Sequence, residues 1–197
     1  MPLYNTETGW GAIARFFHWT MAALIVGMLV LGTIMVDWPA GELRTKFALY
    51  QWHKSFGFVV LGLLVLRALW RWIQPVPPLP ASSSRVTRRA SAFSHGALYA
   101  LMLIMPVTGY LMSSASTLGV PTRIFGVIEV PHLLGPDARL EALFKTMHAW
   151  SATALLVLVA VHVLAALKHA LVNRDGIWTR MVRGPGAAAG AEPVRAA

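Results

Sequence analysis

A chain of 197 residues that is 56% hydrophobic and only 13% charged is not a soluble domain, which carries about 25% charged residues; its mean hydropathy of +0.59 places it in a membrane. A net charge of +9 then points to basic cytoplasmic loops rather than to nucleic acid. The absence of cysteine excludes disulfides, thiolate-held iron–sulfur clusters and thioether-attached haem.

The length suits one compact domain, 1–183, followed from Gly184 by a small-residue tail, 184–197, expected to be disordered. Four spans are predicted, at about 12–36, 47–72, 91–114 and 142–172. Arg15 and His18 near its start are the only breaks in the first. No small-residue cleavage site precedes Asp37-Trp38-Pro39, so this span reads as retained rather than as a signal peptide. The second carries His53 near its beginning and Arg67 and Arg71 near its end. Pro75, Pro77, Pro78 and Pro80 then force an extended connector that also holds Arg85, Arg88 and Arg89. The third span has His95 early and Pro106 inside, a kink that neighbouring helices tolerate. A long Pro/Gly loop, 116–139, follows and places His132 in solvent. The fourth span carries His148, His162 and Lys168-His169, and stops at Asn173-Arg174-Asp175-Gly176. The fold class is therefore an all-α integral membrane four-helix bundle.

Basic residues set the orientation. The side holding the N-terminus, the Pro/Arg connector and the C-terminus has eleven Lys/Arg against three acids, the other side six against five. By the positive-inside rule both termini are cytoplasmic. Trp10, Trp38, Trp70, Trp72 and Trp178 fit an aromatic belt near the interfaces.

His148 and His162 are fourteen residues apart, which on a helix is almost four turns, one face and about 21 Å. His18 lies at the depth of His162, toward the cytoplasm, and His53 at the depth of His148, toward the outside. Two level pairs of neutral imidazoles from different helices suit bis-histidine ligation of two haem irons inside a bundle. Zinc would need ligands converging in one shell, and a di-iron cage or a proton relay would need membrane carboxylates that the spans lack. His95 has no level partner left and is assigned to a haem edge or a quinone contact. His169, seven residues beyond His162 on the same predicted face, suits either a hydrogen bond to a quinone carbonyl or an interface position beside Lys168. Arg123, Arg139 and Lys145 suggest a basic outer entrance for a small anion, unless they merely balance Glu129, Asp137 and Glu141.

In order and spacing, these segments resemble the bacterial cytochrome b561 family over about residues 10–183. They are His18-Trp19, His53-Lys54-Ser55-Phe56-Gly57, Leu69-Trp70-Arg71 with its prolines, Pro106 to Ser114, His148, His162, Lys168-His169 and Arg174-Asp175-Gly176. The chain departs from many members at Ala170, where they carry a second histidine. The resemblance implies a di-haem b protein of the bacterial cytoplasmic (inner) membrane, with haem on His18, His53, His148 and His162. It also implies an oxidoreductase or electron-transfer cytochrome exchanging electrons with ubiquinone. Some members oxidise superoxide at the outer face and reduce ubiquinone at the inner face; others are membrane subunits that serve a hydrogenase or dehydrogenase. The short chain after the last span favours the first.

Overall fold

The computed structural model describes residues 2–186. Its long helices are α1 (Ala12–Asp37), α2 (Leu43–Ile73), α3 (Arg85–Ser114) and α4 (Ala138–Lys168). All four are long and apolar enough to cross a membrane. Even α1, the shortest at 26 residues, measures about 39 Å against a hydrocarbon core of about 30 Å.

Three of the helices begin earlier than hydropathy suggests, and side-chain caps explain two of them. The Ser84 hydroxyl accepts the Thr87 N–H at 3.1 Å and starts α3 six residues before Ser91. An Asp137 carboxylate oxygen accepts the N–H groups of Arg139 and Leu140 at 2.8 and 3.1 Å and starts α4 four residues before Ala142. α2 likewise starts four residues before Phe47, at Leu43.

α4 runs into a five-residue π-helix, His169–Asn173, closed by Arg174 and Gly176 in left-handed conformations and followed by α5 (Ile177–Val182). The loop after α3 contains a hairpin, β1 (Thr122–Ile124) antiparallel to β2 (Ile128–Val130). Its turn has φ 49° at Phe125 and 73° at Gly126 and closes with the Val127 N–H on the Ile124 carbonyl, the backbone of a type I′ turn. Ser55 of α2 accepts the Phe125 N–H at 2.9 Å, and Trp52 and Phe56 pack edge-on against the Phe125 ring.

The chain forms two compact units. The first, here the terminal unit, comprises Met1–Thr20, Val65–His95 and Val159–Ala197. In it the α5 carbonyls of Val182 and Met181 accept from Arg15 at 2.9 Å and from the Trp19 indole at 3.2 Å. Gly184 is buried against the Arg15 guanidinium, and Pro185 lies on Gly9, so the turn at 184–186 is packed down. The remaining 187–197 of the expected tail lie outside the described residues.

The second, here the hairpin unit, comprises Met21–Leu64 and Gly96–Leu158. Its core is Met21, Leu64 and Met102, with Ile25, Leu63, Leu98 and Tyr99 packed around them. Elsewhere large apolar side chains face outward, among them Trp150 at 72% and Leu164 at 65% exposure. In water such a surface would aggregate; in a bilayer it meets acyl chains.

Candidate cofactor site: two histidine pairs

In the hairpin unit α2 presents His53 and α4 presents His148, with ring centroids 6.3 Å apart and planes at 77°. His148 Nδ1 lies 3.0 Å from the Met105 carbonyl and 3.2 Å from the Thr108 hydroxyl. A carbonyl can only accept, so Nδ1 carries the proton and Nε2 keeps its lone pair, the tautomer a metal needs. Gly109 makes room for this ring, since a Cβ there would sit 3.0 Å from His148 Cε1. Gly32 lies beside His53 with more room: a Cβ there would meet Cε1 at 3.5 Å, an ordinary contact. The His53 Nδ1 is buried and has no hydrogen-bond partner. Both rings border an apolar cavity of about 130 Å³, walled also by Met28, Tyr50, Lys54 and Met105.

In the terminal unit α1 presents His18 and α4 presents His162, with centroids 6.2 Å apart and planes at 52°. His95 of α3 joins them, 5.5 Å from His162. Its Nδ1 is bound 2.7 Å from the Ser91 carbonyl one turn back. An Arg67 guanidinium nitrogen donates to His18 Nδ1 at 3.3 Å. That contact puts the proton of a neutral His18 on Nε2, opposite to His148. Ligation through His18 Nε2 therefore requires Arg67 to leave the ring.

His169 opens the π-helix, and its Nδ1 bonds the Asp175 carboxylate, with the Asn173 amide 3.1 Å away. The other Asp175 oxygen accepts the Ile177 N–H at 3.2 Å, so one carboxylate ties His169 to the start of α5.

The spacing of the two pairs has chemical content. Two metal–imidazole bonds of about 2.0 Å on opposite sides of one ion, plus roughly 1.1 Å from each nitrogen to its ring centre, put trans centroids about 6.2 Å apart. Observed values of 6.2 and 6.3 Å fit one metal between each pair. Among the described residues no three His, Cys, Asp or Glu side chains converge on a metal. An apolar cavity, the close approach of Gly109 to the His148 ring and a free Nε2 on His148 fit a planar metal-bearing cofactor in the hairpin unit.

The basic entrance looks different in three dimensions. Arg123 and Glu129 are cross-strand partners in the hairpin and pair at 3.1 Å, which neutralises that guanidinium. Glu141 is engaged by the Ser116 hydroxyl and the Thr117 N–H at 3.1 and 3.0 Å. Sequence reasoning missed Lys54, Gly32, Thr108 and Gly109 as parts of the site. The available signal was a glycine inside an apolar span, which needs a packing reason.

A family model described as prokaryotic cytochrome b561 matches residues 9–184. The chain is 39% identical to Cytochrome b561 homolog 2 of Escherichia coli (strain K12), over 92% of this chain and 95% of that protein. It is 29% identical to a Yersinia pestis protein named Probable superoxide oxidase CybB, over 84% and 97%. Cytochrome b561 homolog 1 of Escherichia coli (strain K12) is 27% identical, over 85% and 93%.

Proposed function

Because the chain belongs to the prokaryotic cytochrome b561 family, multi-pass bacterial inner-membrane proteins of haem b electron transfer, we propose that it carries two haems and passes electrons from superoxide outside to ubiquinone inside. His53 and His148 hold the outer haem, His18 and His162 the inner one, and both termini are cytoplasmic. The observation that carries this reading is the pair of imidazole separations, 6.3 and 6.2 Å, in two different units. A relative named for superoxide oxidation supports the donor.

Bound haem supplies an iron that accepts and gives one electron at a time. Two superoxide ions each lose an electron and leave as dioxygen; one quinone takes both electrons and two protons to become quinol. The chain's own residues do the rest. Met105 and Thr108 hold the tautomer of His148. Apolar walls keep water from the outer pair. His169 meets the quinone: the Asp175 carboxylate holds its Nδ1 and fixes the ring's orientation, leaving Nε2 for the quinone headgroup. His95 offers the second contact from the cluster around His162.

Two measurements test this. Pyridine-haemochrome assay should give two haems per chain, all extracted by acid acetone because no cysteine can tether them. A ratio near one would remove the second haem, and with it the transmembrane path. Stopped-flow mixing with superoxide should reduce the haems, and a ubiquinone analogue should reoxidise them. In that assay His169→Ala should keep both spectra and slow reoxidation at least tenfold, a loss of about 1.4 kcal/mol in transition-state stabilisation. Asp175→Asn should slow it in the same direction. Wild-type reoxidation in both variants would place the quinone elsewhere.

A further inference from the structure

We infer that Lys54 is the anion-holding group of the cavity between His53 and His148. It follows His53 on α2, and its side chain lines the cavity with Tyr50, Gly57 and Phe58, the positions four before and three and four after it. It is half-buried, and the ion pairs found among the described residues, Arg123–Glu129 and His169–Asp175, leave it without an acid. Lys46, eight residues earlier on the same helix, shows the alternative: its ammonium donates to the carbonyls of Val36 and Trp38 at 3.2 and 2.9 Å. Among the described residues no such acceptor serves Lys54. An ammonium held in apolar walls without a counter-charge is costly, and at membrane depth such residues pair or mark a site.

The anion is an oxyanion, and the cavity admits two sources: a carboxylate of the porphyrin, or the small anionic substrate. The inference rests on the reading that His53 and His148 hold haem. Lys54→Met keeps the apolar stem and removes the charge; Lys54→Arg keeps the charge. Both are purified as loaded protein beside the wild type, and two rates are measured: haem transfer from each to excess apomyoglobin, and reduction by superoxide at several ionic strengths. If the porphyrin carboxylate is the partner, Lys54→Met releases the outer haem at least tenfold faster, and the difference disappears after reconstitution with the dimethyl ester of haem. If superoxide is the partner, haem transfer is unchanged, while reduction slows at least tenfold and loses part of its salt dependence. Lys54→Arg should restore whichever rate changed. Wild-type values for both rates in Lys54→Met would overturn the inference. A His53→Ala protein that keeps both haems would instead sink the haem reading, whatever Lys54 does.

Discussion

His18→Ala and His162→Ala should each remove one haem, the same one, and His53→Ala and His148→Ala should each remove the other. The ratio of haem to protein falls from two to one in all four, and the lost spectral component sorts them into two pairs. The reason is the reach of an imidazole. Each pair has its centroids at 6.2 or 6.3 Å, the span of two bonds to one ion. Removing either partner leaves a single axial ligand in a site that must hold the iron against water. Loss of a residue that merely orients a ligand already costs about 10–100-fold in metal affinity, so loss of the ligand should cost more. His95→Ala makes the prediction sharper. His95 sits 5.5 Å from His162, closer than His18 does, and competes with it on proximity alone. Its Nδ1 bonds the Ser91 carbonyl and so leaves Nε2 free, as in His148, and only the spacing sets it apart: 5.5 Å falls short of the 6.2 Å between His18 and His162. His95→Ala should therefore retain both haems. Should it lose the inner one while His18→Ala keeps it, the inner pair is His95 and His162.

That His18 lies beside His162 and His53 beside His148 was legible because it needs only helical rise. His148 and His162 share one uninterrupted helix, α4, so counting residues along it suffices. Counting fails beyond Lys168. The sequence argument placed His169 on the face of His162 by continuing the α-helical period, but the chain turns into a π-helix at His169. The wider turn changes the direction of every later side chain, and the tie from His169 to Asp175 across the left-handed Arg174 and Gly176 fixes the result. The hairpin was illegible for another reason. Strands of three residues are too short for an alternating pattern, and the turn rests on Phe125 in a left-handed conformation that Ser55, Trp52 and Phe56 hold from α2. Its register decides that Arg123 faces Glu129, which ended the expectation of a free cation there. Lys54 stood in plain sight beside His53, but only the cavity makes it more than a helix-end lysine.

Gly109→Leu should abolish the haem of the His53–His148 pair and leave the other in place, whereas Gly32→Ala should cost neither. The two glycines do similar work at different distances. A Cβ at Gly109 would lie 3.0 Å from His148 Cε1 and 3.3 Å from Nδ1. That ring cannot drift away freely, because Met105 and Thr108, on the same turn of α3 as Gly109, hold its Nδ1. Alanine at Gly109 should already strain the ring by an overpacking cost of about 1–3 kcal/mol and weaken the haem. Leucine adds three more carbons into the cavity that Gly109 and His148 line, where the proposed haem would bind. At Gly32 the new Cβ would be 3.5 Å from His53 Cε1, an ordinary contact. There the gain in helix propensity, up to about 1 kcal/mol for Gly→Ala, meets no steric opposition. Gly32→Ala should match or exceed the wild type in thermal stability, with two haems and an unshifted spectrum. The haem ratio and the low-temperature α-band of the three variants measure this directly. Two haems and a wild-type spectrum in Gly109→Leu would mean that the His148 ring has room to spare, and that the cavity beside it is not where the outer haem sits.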